Sequence, residues 1–180
     1  MKMVTTNKGK FKETREIAKK YGVELTQLAL DLPEIRATLE EIVVDKARQA
    51  YEAVGEPVVC DDSGLFIDGL NDFPGEFSKF VLGKLGNSGI LRLMPPTRRG
   101  AEFRCAACYF DGKNYVVKMG IAKGKIIHEE RGSSGFGFDP IFLPEGNDKT
   151  FAEDFDFKMK VSHRISAFNQ LFSFLSENLV

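Results

Sequence analysis

Apolar residues recur at helical spacing in the first third of the chain and predict two helices there. The first follows a short apolar strand at Met3–Thr5 and ends at Gly22, because glycine is favoured just past a helix end. The second begins with a capping-box pattern at Thr38–Glu41 and ends at Gly55. Their apolar faces are formed by Phe11, Ile17, Ala18 and Tyr21 in the first helix, and by Ile42, Val43, Ala47, Ala50 and Val54 in the second.

Strands are predicted where polar and apolar residues alternate, or where turn residues bound a short apolar run. An Asp-Gly pair at positions 111 and 112 joins two such segments and is typical of a β-hairpin. The predicted strands after the first are Val23–Leu30, Pro57–Cys60, Ala101–Phe110, Tyr115–Ile121 and Lys125–Glu130.

Helical spacing returns around Phe77–Leu85 and Ser88–Leu93, and a longer helix begins after the capping residue Ser162. The apolar stripe of this last helix comprises Ile165, Phe168, Phe172, Leu175 and Leu179. Helices alternate with strands early in the chain, while hairpins dominate its middle. This order predicts an α/β fold, with a mixed central sheet and flanking helices, in one domain over residues 1–180. We expect two lobes around a substrate cleft.

The charge and length of the chain limit its partners. The 25 Lys and Arg residues are balanced by 26 Asp and Glu, so no overall field attracts nucleic acid or anionic lipid. Apolar runs fall far short of the roughly 18 residues that cross a bilayer, and Met1–Val4 leads into polar residues rather than a signal peptide. Three cysteines, an odd number, exclude a complete set of disulfides. We expect a cytoplasmic protein that binds neither nucleic acid nor membrane.

Cys105 and Cys108 form a C-x-x-C pair, a spacing found in redox and zinc sites. They lie in the predicted strand Ala101–Phe110, where side chains three residues apart point to opposite faces. Sulfurs placed in that way cannot share a metal ion, and no second Cys/His pair follows at zinc spacing. The pattern favours cysteines that pack as small apolar side chains.

Two polar segments carry groups suited to phosphate and metal. Thr5–Lys10 leads into the first helix, where backbone N–H groups, the helix dipole and lysines favour a bound phosphate. Asp61–Gly64 follows an apolar strand, and its carboxylates, with Glu34 as a possible partner, are ligands that Mg²⁺ prefers. Each segment also fits an ordinary turn. Thr5–Lys10 lacks the spacing of a P-loop, and the Asp and Ser residues of Asp61–Gly64 favour turns.

Two further segments, nearer the carboxyl end, suit a nucleotide base. Ser134–Pro140 interleaves glycine with phenylalanine, so its backbone can approach a ligand and its rings can stack on a base. Lys158 and the segment Ser162–Arg164 place donors at the start of the last helix. A glycine-rich turn and simple helix capping are the alternatives. Together the four clusters suggest a cation-assisted phosphoryl-transfer site for a nucleoside triphosphate.

In this order, and over nearly the whole chain, the clusters resemble the inosine triphosphate pyrophosphatase family. Thr5–Glu13 is similar to the family's T-G-N-x-x-K-x-x-E opening, with Thr6 where the family usually has glycine. Asp61–Leu65 matches D-D-S-G-L, and Phe136–Phe142 matches F-G-[YWF]-D-P-x-F. The other matches are Leu32–Glu34, Lys46–Ala47, Pro74–Lys79, Thr150–Glu153, Lys158 and Ser162–Arg164.

The resemblance implies a Mg²⁺-dependent enzyme that hydrolyses inosine, deoxyinosine and xanthosine triphosphates to the monophosphate and pyrophosphate. It also implies a homodimer with a mixed α/β fold. Glu34 and Asp62 would be the metal-linked acids, and Asp62 would also be the base for the attacking water. The phosphates would be held by Lys10, Lys46 and Lys79, with Thr5, Thr6, Asn7, Lys8, Gly9 and Ser63 also binding substrate. The base would be read by Phe136, Gly137, Phe138, Asp139, Lys158, His163 and Arg164.

Hypoxanthine differs from adenine in having an acceptor oxygen at C6 and a proton on N1. We expect Arg164 to donate to that oxygen and Asp139 to accept from N1–H, so that adenine leaves both groups unpaired. A donor facing C2, either Lys158 or a backbone N–H, would repel the amino group that guanine carries at that position. The alternative functions are a non-catalytic nucleotide sensor and a pyrophosphatase for other modified nucleotides. The Asp61–Asp62 pair argues against a sensor, which gains nothing from two metal-seeking acids.

Overall fold

The computed structural model of the chain describes residues 1–178. Its strands are β1 (Lys2–Val4), β2 (Thr26–Leu28), β3 (Val58–Ile67), β4 (Pro74–Gly75), β5 (Gly100–Phe110), β6 (Tyr115–Ile126) and β7 (Phe142–Pro144). Its helices are α1 (Lys8–Lys20), α2 (Leu39–Val54), α3 (Ser78–Leu93), α4 (Phe155–Val161) and α5 (His163–Asn178). Leu179, predicted on the stripe of the last helix, lies outside the described residues; the other four residues of that stripe are buried.

The strands form one sheet in the order β2-β1-β3-β5-β6-β7, and β4 pairs with β3. β1 runs parallel to both β2 and β3, with Met3 opposite Gln27 on one side and Val59 on the other. β4 is antiparallel to β3, and β7 is antiparallel to β6. Parallel and antiparallel pairs in one sheet, together with five helices, confirm the predicted mixed α/β class.

The first two helices begin at their predicted capping residues. The Asn7 side chain accepts the N–H of Lys10 at 3.0 Å and caps α1. The Thr38 side chain accepts the backbone N–H of Glu41, and the Glu41 side chain accepts the backbone N–H of Thr38, so both hydrogen bonds of the predicted capping box are present. Gly55 closes α2 in the left-handed conformation, with φ of 65°. These local patterns are sufficient to predict where the two helices begin, and where α2 ends, because each cap satisfies N–H or C=O groups that the helix itself leaves unpaired.

The strand predicted at Pro57–Cys60 is longer than expected: β3 continues through Asp61–Gly64 as a single strand, so the alternative of a turn at Asp61–Gly64 is wrong. Asp and Ser favour turns when they are exposed, but here Asp61 and Asp62 are buried and ion-paired. Gly64 permits the pairing with β4, since a Cβ at this position would lie 2.3 Å from the carbonyl oxygen of Gly75. The two acids therefore lie inside a strand, where successive side chains point to opposite faces.

Other elements differ from the predictions in extent. β2 has three residues rather than eight. The prediction of a separate strand at Lys125–Glu130 is wrong, because β6 ends at Ile126. The Arg99 guanidinium donates hydrogen bonds to the carbonyl oxygens of Ile126 and Ile127. The two predicted helical stretches are joined in α3 across a kink at Gly86. The sequence predicts no counterpart of β4, β7 or α4.

The chain forms two compact units. The first unit comprises Met1–Asp62, Cys105–Gly120 and the chain from His163 onward, and in it α1 packs against α5. The second unit comprises Ser63–Arg104 and Ile121–Ser162. Its core contains the rings of Phe103, Phe142 and Phe151, with centroids 4.7 to 6.2 Å apart. In residues 1–178, every helix is too short or too polar to cross a membrane.

All three cysteines lie in the described part of the chain, and none of them forms a disulfide. Each is fully buried, and burial raises the pKa of Cys60 and raises that of Cys108 to about 12. The Sγ atom of Cys105 lies 3.8 Å from Oδ2 of Asp61, whereas the Sγ atom of Cys108 lies 3.4 Å from the Tyr109 carbonyl oxygen. The full burial of all three cysteines agrees with the predicted packing role, and the raised pKa makes Cys60 and Cys108 poor nucleophiles and metal ligands.

Candidate active site

The predicted site residues fall mainly into two groups, one in each unit. The carboxylate–cation cluster, in the first unit, comprises Lys10, Glu13, Glu34, Lys46, Asp61, Asp62 and Arg164. The aromatic–lysine cluster, in the second unit, comprises Phe136, Asp139 and Lys158.

The start of α1 brings the predicted phosphate-binding segment into order. The Thr5 hydroxyl accepts the N–H of Asn7 at 3.1 Å, and Asn7 in turn caps the helix. Lys8, Gly9 and Lys10 form the first helical turn. Thr6 replaces the family's usual glycine without backbone strain, since it is not among the described non-glycine residues with positive φ. The segment therefore presents a helix N-terminus and two lysines, groups that favour a bound phosphate.

Lys46 of α2 joins the two predicted metal-linked acids. Its Nζ lies 2.9 Å from Oε1 of Glu34 and 3.4 Å from Oδ1 of Asp62. Burial would lower the pKa of Lys46, but the charges of Asp62 and Glu34 outweigh that effect and raise it. The ammonium therefore stays charged and keeps the two carboxylates close to one point.

Asp61, the neighbour of Asp62 in β3, pairs with a different set of cations. Its Oδ2 lies 3.0 Å from Nζ of Lys10 and accepts from Nε and Nη2 of Arg164 at 3.2 Å. Burial alone would raise the pKa of Asp61, but the charges of Lys10 and Arg164 outweigh it and hold that pKa well below its ordinary value. Asp61 is therefore a fixed anion at neutral pH.

Asp62 has the opposite electrostatic character. Burial raises its pKa, and Lys10 and Lys46 offset only part of this effect while Glu34 adds to it. Neighbouring acids whose surroundings move their pKa values apart are typical of sites in which one acid exchanges protons and the other keeps its charge. Asp62 is therefore better suited than Asp61 to accept a proton.

The donor set at Glu34 and Asp62 fits Mg²⁺. Both offer carboxylate oxygens, the donors that this cation prefers, and Mg²⁺ usually takes one or two carboxylates together with substrate phosphates. No cluster of three or more His, Cys, Asp or Glu within residues 1–178 is arranged to enclose a metal ion. A two-carboxylate site of this kind fits a cation whose remaining ligands are phosphate and water.

The aromatic–lysine cluster is built around one carboxylate oxygen. Oδ2 of Asp139 accepts from Nζ of Lys158 at 2.7 Å and from the N–H of Phe136 at 2.8 Å. Lys158, on α4, is fully buried, and its Nζ lies 4.4 Å from the centre of the Phe136 ring. Gly135 has φ of +76°, and a Cβ there would lie 2.2 Å from Oδ2 of Asp139. Glycine at this position therefore allows the carboxylate to hold both the loop and the lysine.

The other predicted residues have varied surroundings. Phe138 belongs to the buried core of the second unit, and Gly137 accepts the Asn87 amide through its carbonyl oxygen. Lys79 is exposed in the first turn of α3, and Ser63 is half-buried in β3. His163 is buried at the first position of α5.

The sequence analysis assigned no role to Glu13 and treated Asp61 only as a metal-seeking acid beside Asp62, whereas the structure pairs Asp61 with Lys10 and Arg164. The available signal was the i, i+3 spacing of Lys10 and Glu13, which places both on one face of α1. The donors of Arg164 contact Glu13 and Asp61, so its predicted hydrogen bond to the base oxygen stays a prediction.

Comparison with known proteins identifies the family. The sequence profile of the Ham1 family matches residues 1–174. The dITP/XTP pyrophosphatase of Methanopyrus kandleri is 43% identical over 179 residues, which cover 97% of this chain and 95% of that protein. The dITP/XTP pyrophosphatase of Thermococcus kodakarensis is 44% identical over 179 residues, covering 98% and 97%.

The fold is also shared with solved structures. The structure of a HAM1 protein from Coxiella burnetii aligns with a TM-score of 0.85 and 31% identity over 98% of this chain and 99% of that one. The chain belongs to the Ham1 family, and the resemblance that its motifs predicted is confirmed.

Proposed function

We propose that the protein is a Mg²⁺-dependent nucleoside triphosphate pyrophosphatase for deaminated purine nucleotides: dITP, ITP and XTP. In the reaction, water adds across the anhydride bond between the α- and β-phosphates and releases the nucleoside monophosphate and pyrophosphate. The main support is the carboxylate–cation cluster, in which Lys46 gathers the acids Glu34 and Asp62. Relatives that are more than 40% identical over almost their whole length carry the name dITP/XTP pyrophosphatase.

The cluster supplies what phosphoryl transfer requires, which is mainly positioning and charge neutralisation. The N-terminus of α1 with Lys10, together with Lys46, binds the triphosphate; Lys8, Lys79 and Ser63 are further proposed contacts. Glu34 and Asp62 would hold Mg²⁺, which when bound neutralises phosphate charge and polarises the phosphoryl oxygens. Asp62 takes the proton of the attacking water, a role that its raised pKa supports.

The aromatic–lysine cluster reads the base. The ring of Phe136 stacks on the purine. The sequence assigned Lys158 to C2 of the base and Arg164 to the C6 oxygen; because Lys158 is the cation that lies beside the Phe136 ring, the proposal has its ammonium donate to the C6 oxygen as well, with Asp139 fixing its position. An amino group at C6, as in adenine, would place donor against donor. Gly137, Phe138 and His163 shape this part of the site in the same proposal.

Lys158→Met tests this base assignment. We expect the ratio of kcat/KM for dITP over dATP to fall roughly 10–100-fold, because a hydrogen bond to a charged group contributes about 1.5–3 kcal/mol. The substitution removes the ammonium from Asp139, so the pair Lys158→Met/Asp139→Asn is measured beside it. Lys160→Met, an exposed position on the same helix, is the control. A dITP/dATP ratio that stays constant in both Lys158 variants contradicts the assignment.

The proposed activity is tested by measuring pyrophosphate release from dITP, ITP, XTP, dATP and dGTP, with Mg²⁺ and with excess chelator. We expect release from the first three substrates, at least tenfold slower release from the last two, and loss of release on chelation. Nucleotide binding without release would identify a sensor. Faster release from another modified triphosphate would show that the enzyme acts on a different substrate class. Release that survives chelation would contradict the metal dependence.

The homodimer and the cytoplasmic location that the sequence predicts belong to the same proposal.

A further inference from the structure

The turn Thr150–Glu153, one of the segments that match the family, is closed by its own side chains. Thr150 is fully buried. Its hydroxyl oxygen accepts the N–H of Glu153 at 3.2 Å, and the Glu153 carboxylate accepts the N–H of Thr150 at 2.8 Å. The hydroxyl of Thr150 also has a proton to give, and it donates to the carbonyl oxygen of Arg131 at 2.8 Å. The turn is therefore bonded to the chain segment that leads to Phe136.

The base loop, residues 131–136, lies directly on this turn. Besides the Thr150 hydroxyl, the turn binds the loop through the carbonyl oxygen of Ala152, which accepts the N–H of Ser134 at 3.1 Å. Gly132 has φ of +82°, and a Cβ there would lie 2.4 Å from the carbonyl carbon of Ala152. A contact this close leaves no room for a side chain, so the loop backbone is held against the turn just before the ring that stacks on the base.

A salt bridge between the base loop and the turn adds less. Nη2 of Arg131 lies 3.3 Å from Oε2 of Glu153, with 36% and 28% of the two side chains exposed. Ion pairs this open to water contribute little to stability. The buried hydroxyl of Thr150 is therefore the side-chain contact that matters most for holding the loop.

The same turn also fixes the start of α4, the helix that carries Lys158. The chain runs from Glu153 directly into Asp154, whose N–H donates to the carbonyl oxygen of Thr150 at 3.0 Å. The Asp154 side chain caps α4 by accepting the N–H of Phe157 at 2.9 Å. Its carbonyl oxygen accepts the N–H of Lys158 at 3.1 Å. The position of Lys158 therefore depends on the turn through the first residue of the cap.

Phe136 and Lys158 thus belong to two chain segments with one common anchor. The Lys158 ammonium lies 4.4 Å from the centre of the Phe136 ring, and Asp139 bonds both the ammonium and the N–H of Phe136. Asp139 orients these polar atoms, whereas the turn sets the backbone position of the base loop and of the helix start. Recognition sites depend on geometry held to about 0.5 Å, so the separation of ring and ammonium requires both.

We propose that Thr150, supported by Glu153, is a positioning residue for base selection: its hydroxyl sets the place of the Phe136 ring relative to the Lys158 ammonium. This rests on the proposed function, in which the ring and the ammonium read the base. Thr150 touches neither the base nor the reacting phosphates in this proposal and acts through the base loop.

The test is Thr150→Val, which keeps the branched shape of the side chain and removes the hydroxyl. The ratio of kcat/KM for dITP over dATP should fall roughly 5–20-fold, because the Arg131 carbonyl loses its partner and the base loop shifts. Most of this fall should come from a higher KM for dITP, with kcat changed less than about threefold, since base contacts stabilise bound substrate and transition state alike. An unchanged ratio overturns the proposal.

Two variants separate the effect of this hydroxyl from that of a change in a buried side chain. Thr150→Ser retains the hydroxyl and should keep the dITP/dATP ratio within about twofold of the parent; a loss as large as that of Thr150→Val overturns the proposal. Thr14→Val makes the same change at another fully buried threonine, on α1, whose hydroxyl has no hydrogen-bond partner among residues 1–178. Its ratio should equal that of the parent, and a fall equal to that of Thr150→Val overturns the proposal.

A double-mutant cycle with Lys158→Met shows whether Thr150 acts through the ring and the ammonium. When Lys158 is already Met, Thr150→Val should lower the dITP/dATP ratio by no more than about twofold, because the group to be placed is absent. An equal loss in both backgrounds is the result of a merely structural role and overturns the proposal. If Thr150→Val does not fold, Glu153→Ala, at a partly exposed position of the same turn, takes its place with an expected fall of about 3–10-fold, and an unchanged ratio overturns the proposal.

The outcomes distinguish this inference from the proposed function. Absence of pyrophosphate release by the parent protein overturns the proposed function. An active parent whose dITP/dATP ratio survives Lys158→Met overturns the base assignment and the positioning role together. An active parent whose ratio depends on Lys158 but not on Thr150 overturns only the positioning role.

Discussion

Replacing Asp62 by Asn will lower kcat for dITP by roughly 10²–10⁴-fold, the usual effect of removing a general base, and loss of the metal link adds to it. The variant will be at least as stable as the parent at pH 7. The raised pKa of Asp62 means that its ionised form is less favourable in the fold than in the unfolded chain, so a neutral isostere removes an unfavourable charge. Initial rates and urea unfolding measure the two effects.

Asp148→Asn, at an exposed loop position, is the control and should change neither quantity. A variant of Asp62 that retains more than about a tenth of the parent rate would show that Asp62 is neither the base nor a metal ligand. A large loss of stability would instead show that the ionised carboxylate supports the fold.

Replacing Asp61 by Asn, one residue away, will have its main effect on stability. We expect the free energy of unfolding at pH 7 to fall by about 3–5 kcal/mol, because removing one partner of a buried ion pair leaves an uncompensated charge. Two cations, Lys10 and Arg164, would lose their shared anion. Urea unfolding of the parent and of the Asp61 and Asp62 variants compares the same substitution at adjacent positions.

The pH dependence of this difference has a defined sign. The pKa of Asp61 is lowered in the fold, so its contribution is complete above the ordinary Asp pKa of about 3.9 and is lost as the pH falls towards the folded value. The difference in the free energy of unfolding between the parent and Asp61→Asn should therefore be constant from pH 7 to about pH 5 and should become smaller in more acidic solution. A gap that widens in acid would contradict the assignment of Asp61 as a fixed anion.

Sequence patterns predicted the parts of the fold that depend on neighbours in the chain. The Asn7 cap, the Thr38–Glu41 box and the Asp-Gly hairpin each involve residues within four positions, so their partners can be read directly. β3 was misread at Asp61–Gly64 because what makes it a strand is its pairing with distant segments. Local preferences of Asp, Ser and Gly favour a turn and carry no information about those partners.

The same limit applies to the candidate site. Motifs singled out Lys46, Asp62, Asp139 and Lys158 as residue types, but not the pairs that they form. Arg164 contacts Glu13 across 151 positions, and a donor with five N–H groups fits a carboxylate as well as it fits a base oxygen. The contacts of Arg164 with Glu13 and Asp61 depend on the close packing of α1 and α5, which no motif reveals, and its hydrogen bond to the base stays a prediction.

The division into two compact units has a consequence for attempts to dissect the protein. The backbone passes from one unit to the other four times, and three of these passages lie inside the continuous strands β3, β5 and β6. No single cut releases either unit as an uninterrupted polypeptide, and a truncation at any of those three points would leave a severed strand with unpaired backbone groups at its end. Circular permutants should therefore open the chain in the loop 111–114 or another surface connection, where no ladder is interrupted.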